Sequence, residues 1–132
     1  MRKSTATSLS ILLIDDDRMC RRILEVFLKQ LGHDSDMAEN AEEALEAIAR
    51  KRYDVIFLDI GLPSISGIEL AKIIRCEYNM DVPLVATTGH VLDADQNRYT
   101  CAGIDLVLEK PLSLERIESF LEEYALAHSV TP

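Results

Sequence analysis

The chain has no apolar run long enough to cross a membrane: its longest runs are strand-sized, and acids stop them. Basic charge is scarce, with 14 lysines and arginines against 23 acids and a formal charge of −9. That balance argues against nucleic acid or an anionic membrane as the main partner. It suits a protein that holds cations and meets basic surfaces. Cysteine is sparse: Cys20, Cys76 and Cys101 are far apart, odd in number and form no Cys-x-x-Cys pair. A disulfide framework is not expected, the reducing cytoplasm is the natural compartment, and each thiol is read as a small buried hydrophobe rather than a metal ligand or redox group. Neither Gly-x-Gly-x-x-Gly nor Gly-x-x-x-x-Gly-Lys occurs, which weakens a nucleotide-binding reading. No internal repeat, low-complexity segment or interdomain linker is visible. Met1-Arg2-Lys3 stands before a Ser/Thr-containing stretch, but the apolar region that follows is too short for a signal peptide and ends in three aspartates.

What the chain does have is material for one core. Its 132 residues are 48% hydrophobic and 28% charged, a composition for a single globular domain. Residues 1–8 are expected to be a flexible tail, 9–127 the domain and 128–132 a second tail. Short apolar runs alternate with helical stripes. Leu9 to Ile14 reads as a strand, followed by Cys20, Leu24, Phe27, Leu28 and Leu31 at helical spacing and a stop at Gly32. His33 to Ala38 is a polar strand, placed at a sheet edge. Asn40 caps a helix carrying Ala41, Ala44, Leu45 and Ile48. Val55 to Leu58 is a strand, and Gly67, Leu70, Ala71 and Ile74 mark a third helix. Val82 to Thr87 and Ile104 to Leu108 are the last strands. Asp93 to Ala102 is a short polar helix, and Ser113 caps a final helix through Leu114, Ile117, Leu121 and Tyr124. Five strands alternating with five helices imply an α/β fold with a parallel sheet covered on both faces. In such sheets ligands bind beyond the carboxyl ends of the strands.

Two strands deliver acids to that end. Ile11-Leu12-Leu13-Ile14 stops at Asp15-Asp16-Asp17, and Val55-Ile56-Phe57-Leu58 runs into Asp59. An unpaired buried charge is expensive, so these acids must meet solvent, a cation or a reacting partner. Thr88 and Lys110 fall at the ends of the last two strands. Clustered carboxylates repel one another, and oxygen ligands in an open site suit Mg²⁺, which keeps several waters and bridges to phosphate. A carboxylate can also be a nucleophile that forms an acyl phosphate. Phosphoryl transfer asks for little more than in-line placement, a metal and cationic or hydrogen-bonding partners, roles open to Lys110 and Thr88.

In order and at the right strand ends, Ile14-Asp15-Asp16-Asp17, Leu58-Asp59 with Leu62-Pro63 and Gly67, Thr88, and Lys110-Pro111 resemble a receiver domain of two-component response regulators over nearly the whole chain. The resemblance implies a flavodoxin-like (βα)5 doubly wound sheet of order 2-1-3-4-5. It implies that Asp59 accepts a phosphoryl group from a sensor histidine kinase or phosphotransfer protein. Asp16 would then ligate Mg²⁺ directly with Asp59, Asp15 would hold it largely through water, and the Gly61 carbonyl would add a ligand. Thr88 would follow the phosphoryl group, Lys110 would pair with Asp59 and then the phosphoryl oxygens, and the Lys110–Pro111 bond would be cis. The surface of the fourth helix, fifth strand and fifth helix would bind a downstream protein target. Such a domain is not an enzyme in the usual sense, catalysing only its own phosphorylation and dephosphorylation.

The chain departs from the family pattern where an aromatic residue is common. Val107 stands there, and a β-branched valine has little to swing when Thr88 moves. Gly61 and His90 occupy the positions that tune phosphoryl lifetime, and His90 could act on a water according to its protonation. A receiver-like interaction domain independent of phosphorylation is one alternative. A haloacid-dehalogenase-type phosphatase is another, but it wants a second aspartate where Gly61 stands. Simpler roles fit other residues: Asp17 as a helix-start charge, Glu42-Glu43 as a solvated face, His33 and His128 as surface residues, and Phe120 and Tyr124 as core.

Overall fold

The computed structural model describes residues 8–78, 81–89 and 96–129. Its elements alternate along the chain: β1 (Ser10–Ile14), α1 (Arg18–Gln30), β2 (Asp34–Ala38), α2 (Ala41–Arg50), β3 (Val55–Asp59), α3 (Gly67–Cys76), β4 (Leu84–Thr88), α4 (Gln96–Cys101), β5 (Leu106–Glu109) and α5 (Leu114–Ser129). The strands form one parallel sheet in the order β2-β1-β3-β4-β5. Among the described residues no helix is long and apolar enough to cross a membrane.

The two central strands are buried along nearly all their length because both their faces are covered. Their side chains alternate. Leu12 and Ile14 of β1 and Ile56 and Leu58 of β3 join a core with α2, α3 and Tyr99 of α4. Ile11, Leu13, Val55 and Phe57 join a second core with Leu24 and Leu28 of α1 and Ile117 and Leu121 of α5. Phe120 and Tyr124 pack against that core, and the Phe57 and Phe120 rings meet edge to face at 6.5 Å. β2 stands at the edge with three acids or hydroxyls among its five residues, a composition that discourages further pairing.

Helix starts follow their caps. The Asp17 carboxylate accepts from Met19 and Cys20, Asn40 from Glu43, Ser66 from Glu69 and Ser113 from Arg116. Those backbone bonds hold the Asp17 carboxyl below the ordinary range. Glu43 also accepts from the Glu39 N–H, so it does more than solvate a face.

The structure corrects several expectations. β4 starts at Leu84 because Pro83 has no N–H to give the ladder, though its carbonyl accepts from Ile56. β5 starts at Leu106 because Gly103 turns the chain at a φ of 90° and Asp105 spends its carboxylate on the Leu84 N–H. The helical part of α4 covers Gln96 to Cys101, and positions 93–95 lie outside the described residues. Cysteine burial fails as an expectation: Cys20 is half-buried, while Cys76 and Cys101 close α3 and α4 on exposed turns.

His33 is not a plain surface residue. It is half-buried, and its Nδ1 accepts from the Leu9 N–H at 3.0 Å. Burial lowers its pKa, against the opposing charges of Asp34 and Asp54. The folded state therefore binds the proton less readily than the unfolded chain. The neutral ring's contribution is complete above the ordinary imidazole value of about 6.5 and is lost as pH falls through it toward the folded value. His33→Gln keeps an acceptor and does not titrate. The urea midpoint of the wild type, relative to this variant, is expected to drop between pH 7.5 and pH 5; a constant difference would count against the linkage.

Candidate functional site

The chain leaves β1 for β2 on one side and returns to β3 on the other, so a crevice opens beyond the ends of β1 and β3. Asp15 and Asp59 stand there, only 8% and 7% exposed. Asp15 follows β1 directly, and its N–H donates to the Ala38 carbonyl, which fixes its backbone. Its Oδ1 accepts from the Asp17 N–H at 2.9 Å, and its Oδ2 lies 3.0 Å from Lys110 Nζ. Asp59 ends β3 opposite Thr87 of β4. Its Oδ1 accepts from the Gly61 N–H at 3.3 Å and lies 3.5 Å from Lys110 Nζ. Asp16 is exposed at the rim.

Lys110 reaches both buried acids because β5 carries it to the same end of the sheet. Its N–H donates to the Thr88 carbonyl at 2.8 Å, and the Lys110–Pro111 bond is cis. Thr88, the last residue of β4, is half-exposed beside the crevice. Val107 pairs with Ala86 and packs against the core on the α4 side of the sheet, with no aromatic ring at that position. Gly61 is exposed, and a Cβ built on it would meet nothing within 4 Å. His90 lies outside the described residues.

The electrostatics are those of a site short of positive charge. Burial and the Asp15 charge push the Asp59 carboxyl above its ordinary range, against the pull of Lys110 and the Gly61 N–H. Burial disfavours the Lys110 ammonium, but its bond to Asp15 and the charges of Asp15 and Asp59 outweigh that and raise its pKa. Three carboxylates against one ammonium leave a surplus of two negative charges. One oxygen each from Asp15, Asp16 and Asp59 lie within 4.8 Å of one another. A cluster of this spread suits a cation that keeps part of its water shell. The donor set, all oxygen and strongly anionic, fits that cation.

Some residues that shape the site were not picked out as such from the sequence. Arg21 donates from Nη1 to the Asp15 carbonyl at 2.7 Å and lies 3.7 Å from Glu39, tying α1 to the acidic turn. Thr87 is buried beside Asp59. Gly67, by contrast, stands among the residues that carry the resemblance, and its role is close approach: a Cβ there would strike the Asp59 carbonyl oxygen and sit 2.8 Å from the Ile60 Cα. No spacing signals Arg21 or Thr87, which look like a helix-surface base and a strand hydroxyl.

Comparison with known proteins places this geometry. A family model described as the response regulator receiver domain matches residues 11–122. The aerobic respiration control sensor protein ArcB of Escherichia coli strain K12 is 33% identical over 119 residues, which cover 89% of this chain and 15% of that protein. The chain spans 15% or less of the length of this and other curated relatives it matches. Among solved structures, a two-component response regulator from Clostridium difficile superposes with a TM-score of 0.86 at 33% identity, covering 94% of this chain and all of that one. The receiver domain of Ssk1 from Saccharomyces cerevisiae, solved with the histidine phosphotransfer protein Ypd1, gives 0.84 at 25% identity, covering 96% and 95%.

Proposed function

Since the chain belongs to the response regulator receiver family, we propose that Asp59 takes a phosphoryl group from a phosphohistidine of a sensor kinase or phosphotransfer protein. A receiver is a signalling domain and not a classical enzyme. The observation that carries the reading is the meeting of Asp15, Asp16, Asp59 and Lys110 at one strand-end crevice.

In this reading an Asp59 oxygen attacks phosphorus in line. The phosphorus–nitrogen bond breaks, and the imidazole leaves with the electron pair. Asp59 ends a rigid central strand, so its approach is preset. The Lys110 ammonium, already 3.5 Å from Asp59, turns from the carboxylate toward the developing phosphoryl charge. Mg²⁺, held by Asp16 and Asp59, by Asp15 through water and by the Gly61 carbonyl, would supply charge neutralisation. Thr88 follows the phosphoryl oxygens and draws its loop inward. Val107 gives that movement no aromatic lever, so the α4–β5–α5 surface changes chiefly through the backbone of β4 and its loop. Gly61 and His90 hold the sequence positions that tune the lifetime of the acyl phosphate in the family, and substitution at either is expected to change the decay of the label.

Acetyl phosphate with Mg²⁺ tests this directly. The wild type is expected to gain an acid-stable, base-labile phosphoryl group, and failure to label would sink the proposal. Asp16 is exposed and its removal leaves the core intact, so Asp16→Ala is expected to fold normally, bind Mg²⁺ at least tenfold more weakly by titration calorimetry and label correspondingly slowly. Unchanged Mg²⁺ binding would mean the ligand set is wrong.

A further inference from the structure

Under α1, between that helix, the central strands and the β5–α5 turn, lies a cavity of about 110 Å³. Leu13 and Phe57 of the sheet, Leu24 of α1 and Leu112 after β5 form its apolar wall. Cys20 of α1 and Thr87 of β4 also border it, and neither small side chain fills it. Protein interiors rarely leave a void much larger than a water molecule, because each gap forfeits dispersion contacts. Water gains little here, since it needs two to four polar partners and most of this wall has none to give. Ile23, 43% exposed, stands at the mouth and leaves a way in.

Thr87 is the polar group of this space. It is 3% exposed, yet its hydroxyl bonds to no other group among the described residues. No side-chain oxygen or nitrogen that is sealed off completely lacks a partner, so the hydroxyl keeps open surface, and the cavity is where it has it. An unmade bond at so buried a hydroxyl is costly, and a ligand that makes it gains accordingly. Asp15 and Lys110 border the cavity as well, but they are engaged with one another at 3.0 Å.

We propose that this cavity binds a small neutral aromatic molecule carrying one hydroxyl or carbonyl group, and that its occupancy slows phosphorylation of Asp59, the second half resting on the function proposed for that residue. Size sets the first limit. Sites for nucleotide- or drug-sized ligands run to about 300–1,000 Å³, whereas an apolar cavity of about 150 Å³ takes benzene, so this one holds a single ring. Charge sets the second. An anion would meet the negative surplus of the crevice with its one ammonium already engaged, and a cation would leave water for an apolar wall. Thr87 supplies the single directional contact. The link to phosphorylation is Lys110: a ring packed beside its side chain hinders the turn of the ammonium from Asp59 toward the phosphoryl oxygens.

Phenol is the probe, toluene its counterpart without a hydrogen-bonding group and benzoate its charged one. In the wild type, phenol is expected to shift the methyl resonances of Leu13, Leu24 and Leu112 saturably and to raise the urea midpoint, and benzoate to do neither. Thr87→Val keeps the side-chain shape and removes the hydroxyl. It should weaken phenol about fivefold and leave toluene nearly unchanged. Cys20→Leu fills the space and should abolish binding of both. Acetyl phosphate labelling of the wild type should slow over the range in which phenol saturates, and labelling of Cys20→Leu should not respond to phenol. Absence of a saturable shift at these methyl groups overturns the site. Equal loss of phenol and toluene in Thr87→Val, or benzoate binding as well as phenol, overturns the ligand class. A wild-type labelling rate unchanged at saturating phenol overturns the regulation. If the wild type takes no label even without phenol, the function proposed for Asp59 falls and the regulation with it, while the methyl shifts still decide the site.

Discussion

Asp59→Asn is expected to take no phosphoryl group from acetyl phosphate and, in Mg²⁺-free buffer at neutral pH, to unfold at a higher urea concentration than the wild type. The first effect follows from chemistry, because an amide oxygen cannot form the acyl phosphate. The second follows from the site's charge. Burial, and then Asp15, raise the Asp59 pKa, so the folded state holds that proton more tightly than the unfolded chain. The cost of the ionised form is absent below the ordinary carboxylate value of about 3.9, grows as pH rises through the shifted range and is complete above it. Asparagine avoids that cost. Lys110 does not lose its anchor, since Asp15 lies nearer to it than Asp59 does, at 3.0 against 3.5 Å. Saturating Mg²⁺ should narrow or reverse the stability gap, because the cation stabilises only the form with its full ligand set. Equal labelling of the variant would move the acceptor elsewhere. A lower urea midpoint would show that the Lys110–Asp59 pair outweighs the burial cost.

Gly67→Ala is expected to damage both fold and site. An added methyl group would collide with the Asp59 carbonyl oxygen and with the Ile60 Cα and Asp59 carbonyl carbon at 2.8 and 2.9 Å. These are backbone atoms of β3 and its turn, held by the Gly67 N–H to Ile60 carbonyl bond at 2.7 Å and the Ile60 N–H to Thr87 carbonyl bond at 3.0 Å. Neither side can rotate away, so α3 or the end of β3 must shift. Overpacking of this kind costs about 1–3 kcal/mol, and the upper half of that range is expected in urea titration. A displacement of Asp59 by even a fraction of an ångström should also slow acetyl phosphate labelling well beyond the loss of folded protein. Gly61→Ala is the control, with nothing within 4 Å of the new methyl group, and its stability should stay within about 0.5 kcal/mol of wild type. Equal behaviour of the two variants would show that the α3 approach is slack.

Much of this was legible in the residues. The runs Ile11–Ile14 and Val55–Leu58 are apolar at every position because a central parallel strand is buried on both faces. Asp59 and the Asp15–Asp16 pair stood out because acids break those runs. Asn40 and Ser113 mark helix starts by local hydrogen bonds, which need no tertiary partner. Less legible were residues whose duty is set across the chain. The cysteines looked like core and two of them face solvent, since small side chains at helix ends are free to point either way. His33 looked exposed because its partner, the Leu9 N–H, lies 24 residues away. Strand starts slipped by two residues at β4 and β5, where Pro83, Gly103 and Asp105 divert the backbone bonds.

The sequence by itself determined which residues form strands and helices, and that two strands end in acids, because side-chain periodicity and capping act over a few residues. Only the tertiary structure decided what those acids do to one another. The order β2-β1-β3-β4-β5 brings Asp15, Asp59 and Lys110 to one end of the sheet, and the shifted ionisation of Asp59 and Lys110 arises from burial and charge at distances that no spacing along the chain encodes. The same packing leaves Met19, Ile23 and Val26 uncovered on α1 while Leu24 and Leu28 are buried. Helical periodicity could mark both faces as apolar, but only the placement of α1 on the sheet chose the one left open.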